Sequence, residues 1–306
     1  MENKAKPAAP EVQNHSLKIG PYQVCPLPTG IFGLDGGAMF GTVPKVLWEK
    51  AIPADDKNRI PMEARALLLK SGSMNILIDA GNGSDFVAKY GEKLGPKFAE
   101  MYNVDNNGPS LLKSLAHYGL KPEDIHAVVL THLHFDHCGG GTTEVNGEIV
   151  PTFKNAKYYV QKANYETALN PNIREKASYL APNFAPLVKA GVVQFLEGPV
   201  ENFLPGVSCL MSHGHTVGQQ VIKVTDGHQT LLYCADLVPT SAHVRLAWVM
   251  GYDLNPLKII EEKTQILGLA ADQGWYLYFE HDPVACGAKI GKNGSDFAVI
   301  EKFNFI

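Results

Sequence analysis

Between Thr131 and Gly140 the chain reads THLHFDHCGG, which places His132, His134, Asp136 and His137 within six positions. Burying four such groups without a shared partner is costly, because each unpaired polar or charged side chain loses its hydration for nothing. No structural role asks for this spacing, whereas a metal ion does. Alternate residues of an extended chain share a face, so His132 and His134 aim at one point. Asp136 and His137, past a change of direction, aim at a second, and two metal sites can grow from one loop. Three ligands make a site and four complete it, so others must come from elsewhere. His215 in SHGHTVG, Asp236 in CADLVP and His281 in FEHDP stand at three predicted strand ends, with His213 as the alternative to His215. His15, His117, His126 and His228 fall in a tail, on a helix face, in a loop and in a hairpin turn, and are read as ordinary histidines.

The rest of the chain suggests what carries this loop. Residues 1 to about 18, polar and rich in Pro and Ala, are expected to form a flexible tail. Residues 19–306 are expected to form a single α/β domain, since no linker or fixed-period repeat interrupts them. ARALLLKSGSMNILIDAG predicts two strands, about 65–70 and 75–79, around a Ser-Gly-Ser turn, and QQVIKVTDGHQTLLYCAD predicts a second hairpin. A helix is predicted to open at Pro109 and Ser110 and to stop at Gly119, followed by a buried strand from Ala127 to Leu130. KYYVQKANYETAL predicts strand into helix, NPLKIIEEKTQILGLAAD an amphipathic helix, and WYLYFEHD a last strand. The HxHxDH loop therefore follows a strand end, where layered α/β folds mount their chemistry.

Composition excludes several partners. With 27 Lys and Arg against 31 Asp and Glu, and no long basic run, the chain has no footprint for nucleic acid. No stretch reaches the roughly 18–20 apolar residues of a membrane span, and the N-terminus has no apolar leader segment, so no membrane association is expected. The five cysteines are odd in number and show no CxxC spacing, which fits reduced thiols in the cytoplasm.

THLHFDHCGG, with GHTVG, ADL and EHD downstream, resembles the metallo-β-lactamase superfamily over about Leu67 to Asp282. That resemblance implies an αββα sandwich, two mixed β-sheets packed face to face with helices on the outer faces. It implies that His132, His134 and His215 hold one metal, that Asp136, His137 and His281 hold a second, and that Asp236 bridges them. Asp79 in LIDAG matches an early aspartate that orients a ligand. The implied cofactors are two divalent ions, Zn²⁺ as the expected metal with Fe, Mn or Co as alternatives, since these ligand types suit all of them. The implied chemistry is hydrolysis, in which a shared metal-bridging hydroxide attacks a carbonyl or phosphoryl centre and Asp136 moves its proton; Asp136 and Asp236 are thus the catalytic candidates.

Departures within the superfamily narrow the substrate. Class B1 β-lactamases place a cysteine where this chain has Asp236. Glyoxalase II enzymes extend into a helical region for which nothing after His281 provides, and the nucleases carry extra domains and basic surfaces. What remains is similar to the N-acyl homoserine lactonase and methyl parathion hydrolase-like branch. It implies a dinuclear enzyme that opens a lactone or cleaves an ester of a small apolar molecule, with phosphotriesterase side activity. The block TGIFGLDGGAMFGTVPKVLWEK looks like the loop these enzymes place beside the metals. Phe32, Phe40 and Trp48 are its candidate pocket residues, with His243, Trp248 and Tyr252 from SAHVRLAWVMGYDL, and the same aromatic loop is a candidate homodimer contact. The lactonases carry a tyrosine three residues after the bridging aspartate, where this chain has Pro239. The competing reading is an iron-dependent redox enzyme of the same fold, similar to persulfide dioxygenases, for which the same ligands serve.

Overall fold

The computed structural model describes residues 10–104 and 108–306. Two large sheets dominate it. One has eight strands in the order Val12–His15, Asp296–Phe305, Gly287–Asn293, Tyr276–Tyr278, Thr230–Tyr233, Gln219–Thr225, Val207–Ser212, Val200–Leu204. The other has seven, in the order Val193–Leu196, Lys157–Gln161, Ala127–Val129, Ile76–Ile78, Arg59–Lys70, Tyr22–Asp35, Lys18–Ile19.

Period-two alternation makes each strand serve two layers. In the seven-stranded sheet Leu67, Leu69, Ile76, Ile78 and Val129 share one buried cluster with Val207, Ile222, Val224 and Leu231 on the facing side of the eight-stranded sheet. Their neighbours Leu68, Leu77 and Val128 turn outward onto Leu111 and Leu115 of the helix Leu111–His117. On the other side the helix Pro256–Gln273 buries Ile259, Ile266, Leu267 and Ala270 in a cluster that includes Val221, Leu232 and Leu277, the opposite face of the eight-stranded sheet. The molecule is thus an αββα sandwich. Among the described residues no helix is long and apolar enough to cross a membrane.

Two expectations about the N-terminal region need correction. The tail expected to reach residue 18 is in part an edge strand: Val12–His15 pairs in parallel with the C-terminal strand, Val12 opposite Lys302 and His15 opposite Phe305. The His15 ring stacks on Tyr276 at 5.3 Å, and Leu17 and Ile19 are buried. Composition missed this because an edge strand needs only a neighbour's free backbone groups, not an apolar run of its own. Residues 1–9 of that tail lie outside the described residues. The glycine-rich block is not a loop either. Its first part belongs to the fourteen-residue strand Tyr22–Asp35, paired with Arg59–Lys70 across an irregularity between Pro28 and Ile31, and the short helices Gly36–Phe40 and Lys45–Trp48 follow.

Strand ends set the site. Ile76–Ile78, Ala127–Val129 and Lys157–Gln161 run parallel, as do Thr230–Tyr233 and Tyr276–Tyr278. Asp79, the 131–137 loop, Asp236 and His281 all follow the C-terminal ends of such strands, and His215 follows Val207–Ser212. The two sheets bring these ends to one rim of the sandwich.

Candidate metal centre

Asp236 is the hub of the rim. Its Oδ2 lies 3.0 Å from His215 Nε2, 3.4 Å from His137 Nε2 and 3.8 Å from His132 Nε2, while its Oδ1 lies 3.2 Å from His281 Nε2. Two groups of ligand-type atoms result, each within 4.8 Å: His132, His134, His215 and Asp236 form one, Asp136, His137 and His281 the other. The structure brings all seven sequence candidates together, whereas His213 is exposed and accepts a hydrogen bond from the Gly218 amide.

The fit to metal ions rests on atoms that protein partners leave unsatisfied. His132 Nε2, His134 Nε2 and Asp236 Oδ1 are buried without a hydrogen bond among the described residues. Imidazole nitrogens also face each other, His281 Nε2 with His137 Nε2 at 3.3 Å and His215 Nε2 with His134 Nδ1 at 3.2 Å. Two lone pairs cannot meet at such distances without a proton or cation between them. Burial holds His132 and His134 well below the usual imidazole range, so both keep the neutral form that ligates. Burial also opposes charge on His215, but the carboxylates, Asp236 foremost, outweigh it and lift its pKa to about 10. His281 rises to about 9 for the same reason. Asp236 thus concentrates negative potential where protons or divalent cations must compensate it.

Ligand orientation is fixed from behind. Thr131 donates from its amide and hydroxyl to the two oxygens of Asp79, at 2.7 Å each, and Asp79 Oδ2 lies 3.0 Å from His137 Nδ1. Glu280 Oε2 approaches the same nitrogen at 2.9 Å and accepts from the Tyr233 hydroxyl at 2.6 Å. An N–H so placed on Nδ1 leaves Nε2 of His137 free to face the centre. Asp79, Glu280 and His137 form a further close group; with the oxygens of Asp79 taken by Thr131, its arrangement is that of supports for His137. Burial pushes the Glu280 carboxyl up, against the opposite pull of His137. Asp79 and Ala235, at φ 56° and 46°, turn the chain at two of the strand ends in left-handed geometry that side-chain-bearing residues adopt only at a cost.

Asp253 does the same for His215, its Oδ1 at 3.0 Å from Nδ1 and its Oδ2 accepting from the Met250 amide at 2.8 Å. Glu262, reaching from the helix Pro256–Gln273, accepts from Ser212 Oγ and from the amides of His213 and Gly214, which pins the turn carrying His215. Asp253→Asn preserves shape but removes the charge behind the imidazole. Metal titration is expected to show an affinity lower by about 10- to 100-fold; unchanged affinity would mean that Asp253 does not position His215.

A cavity of about 290 Å³ opens over the centre, with His134, Asp136, His215, Asp236 and His281 in its floor. The pocket expectation needs correction here. Phe32, Phe40, Trp48, His243 and Trp248 do not line this cavity, and of the sequence candidates for its wall only Tyr252 does. Phe32 is buried with its ring edge-on to His281, 5.7 Å away. Phe40 stacks between Trp48 at 5.4 Å and His243 at 4.6 Å, with Trp248 edge-on at 5.5 Å. His243 is a satisfied core histidine: its Nε2 donates to the Met39 carbonyl and its Nδ1 meets the Thr240 hydroxyl, both at 2.8 Å, and burial lowers its pKa to about 4. These aromatics therefore hold the cavity wall from behind. With them buried, the proposed aromatic dimer contact has nothing aromatic to offer there; Ile31, Val46 and Leu47 are the exposed large apolar residues of that block. The wall itself comes from Leu34, Met39, Met62, Phe135 and Met250, with Tyr102, Tyr252 and Arg174. Sequence reasoning missed Asp253, Glu262, the methionines and Arg174, none of which lies in a recognisable motif; Glu280, adjacent to His281 in FEHD, was within reach.

A family model described as the metallo-beta-lactamase superfamily matches residues 61–281. An N-acyl homoserine lactonase of Bacillus cereus is 29% identical over 175 residues, covering 55% of this chain and 60% of its own length. The chain thus spans about 60% of the length of that curated relative. A probable metallo-hydrolase of Mycobacterium tuberculosis is 24% identical over 251 residues, covering 73% of this chain and 76% of its own. Among solved structures, a probable metal-dependent hydrolase from Staphylococcus aureus is similar with a TM-score of 0.82 at 31% identity, over 95% of this chain and all (100%) of that one. AidC, a dizinc quorum-quenching lactonase in complex with its product, aligns at TM-score 0.75 and 21% identity over 95% of this chain and 98% of its own, a likeness of fold alone. The sandwich, the rim of strand-end ligands and the family match over more than half its length agree, and the chain belongs to the metallo-beta-lactamase superfamily.

Proposed function

We propose that this protein is a metal-dependent hydrolase that opens a lactone or cleaves an ester of a small, partly apolar molecule at two divalent ions. The observation that carries the reading is the pair of ligand groups, linked through Asp236 to His137 and His281, on the floor of a cavity whose wall is largely apolar. In this assignment His132, His134 and His215 would hold one ion and Asp136, His137 and His281 the other, with Asp236 placed between the two groups. Such ions would supply Lewis acidity for the scissile carbonyl oxygen and a water of lowered pKa. Asp136 lines the cavity, with Oδ2 3.9 Å from His137 Nε2 and 3.7 Å from His281 Nε2. Its other oxygen is available to take the proton of the attacking water and return it to the leaving oxygen. Leu34, Met39, Met62 and Met250 exclude water around the acyl part and adapt to its shape. Pro239 offers no hydroxyl to the leaving group, and Tyr102 and Tyr252 supply the phenols of this cavity. Lactonase relatives make lactones the first substrates to try, and five buried free cysteines favour a reducing compartment, the cytoplasm.

The test is proton release in weak buffer over acyl homoserine lactones, δ-lactones, aryl esters and one phosphotriester. Turnover of a lactone or ester is expected with Zn²⁺, Mn²⁺ or Co²⁺, to disappear on chelation, to return on adding metal, and to proceed equally without oxygen. Oxygen consumption on a persulfide, with no hydrolysis across the panel, would replace this reading by the iron-dependent redox one.

A further inference from the structure

We propose that Arg174 makes the cavity selective for substrates that carry a carboxylate some distance from the scissile bond, an inference that rests on the hydrolase reading above. Among the described residues Arg174 is the one lysine or arginine lining the cavity. It lies in the segment after the helix Lys162–Leu169, where the Ser178 carbonyl takes the Phe135 amide and Tyr179 packs on His134 at 4.7 Å. That segment is therefore tied to the ligand loop.

Arg174 is an exposed residue of the cavity wall. Its side chain makes one hydrogen bond among the described residues, from Nη2 to the Gly251 carbonyl, and no carboxylate there pairs with it. The adjacent Glu175, which also lines the cavity, makes no ion pair with it and is held instead by the Thr216 hydroxyl and Asn172 Nδ2, both at 2.7 Å. A guanidinium has five donors in a flat fork that matches a carboxylate, so most of this one remains for a ligand. A solvated arginine normally loses much rotamer freedom when it binds an anion. Here the bond to Gly251, itself held through its amide to the Ala38 carbonyl at 2.7 Å, restrains the head group at the cavity wall beforehand. The sequence of surfaces is then a polar reactive floor, an apolar wall of Met39, Met62 and Met250, and a cationic rim. A molecule with an ester, an aliphatic spacer and a terminal carboxylate presents the complementary order.

Phenyl hydrogen adipate and phenyl hexanoate differ chiefly in that terminal carboxylate. Water adds across the acyl C–O bond of each, releasing phenol and adipate or hexanoate. The wild-type protein is expected to prefer the adipate ester by about tenfold in kcat/KM, the scale of one charge-assisted hydrogen bond. In R174Q the ratio should fall toward one, with R174K between. Equilibrium binding of adipate against hexanoate, measured by calorimetry on the same proteins, gives a second readout. Adipate should bind about tenfold tighter to wild type and lose that advantage in R174Q. Equal binding of the two acids by wild type overturns the proposal. So does an equal loss for both ligands in R174Q, which would make Arg174 only a latch for Gly251. Selective adipate binding without hydrolysis of either ester would leave the proposal standing and remove the hydrolase reading instead.

Discussion

Asp236→Ala protein is expected to bind divalent metal more than about 100-fold more weakly than wild type, and to lose hydrolytic turnover with it. The reasoning runs from what lesser changes do. Losing a group that only hydrogen-bonds a ligand typically lowers affinity 10- to 100-fold. Asp236 faces four imidazoles directly, those of His132, His137, His215 and His281 at 3.0–3.8 Å, and it joins the two ligand groups. Its removal therefore weakens both halves of the centre at once. The protonation of the histidines gives an independent readout in the metal-free protein. His215 and His281 hold their protons up to about 10 and about 9, with Asp236 the largest favourable influence on each. In the variant burial is less opposed, and both imidazoles should titrate at lower pH by NMR. Asp236→Asn, which keeps the shape and loses the charge, should reproduce the titration change. A variant that kept two metals per chain and normal turnover would remove Asp236 from the centre.

The legibility of this site in the sequence follows from how local each part is. His132, His134, Asp136 and His137 share one loop, so their spacing alone exposed them. His215, Asp236 and His281 are far apart in the chain but each ends a recognisable strand, and strand ends converge when two sheets stack. Asp253 has no such marker: it sits between the turns of a long connection, and only the fold reveals that it backs His215. The cavity wall was misread for a different reason. Glycines among Phe32, Phe40 and Trp48 look like a loop, yet a Cβ on Gly36 would run into the Trp48 ring, within 2.7 Å of Cζ3. That glycine makes room for an aromatic stack, so the pattern encodes packing rather than a ligand surface. Pro26, Pro28 and Gly30 likewise conceal a strand whose pairing shifts at that point. The helix Phe86–Tyr102 is amphipathic, but Gly91, at φ 81°, and Pro96 inside it are residues that ordinarily end a helix, and they mask it in the sequence.

The glycines that close THLHFDHCGG carry the second large expectation, which concerns stability. Gly139 lies two residues past His137, at φ −55°, a backbone geometry any residue adopts. Its lack of a side chain matters for space instead. A Cβ there would meet the Asn82 carbonyl, and would sit 2.9 Å from the Gly81 oxygen. Both contacts are backbone, and the two segments are further bound together: the Ala80 amide donates to the His137 carbonyl at 2.7 Å, the Gly140 amide to the Gly81 carbonyl at 3.1 Å. Neither side can swing away as a flexible side chain would, so relief requires moving the ligand loop from the strand end that carries Asp79. Overpacking of this kind costs about 1–3 kcal/mol and sometimes more. Gly139→Ala, with only rigid neighbours to yield, is expected near the upper end, about 3 kcal/mol in denaturant unfolding of the metal-free protein. The displacement also separates His137 from Asp79 and Glu280, so metal affinity should fall in the same variant. Gly147→Ala serves as the comparison: that glycine meets nothing within 4 Å, so its substitution feels only the positive φ of 85°. A loss at Gly139 no larger than that at Gly147 would show that the close approach of residues 80–82 does not demand the glycine at 139.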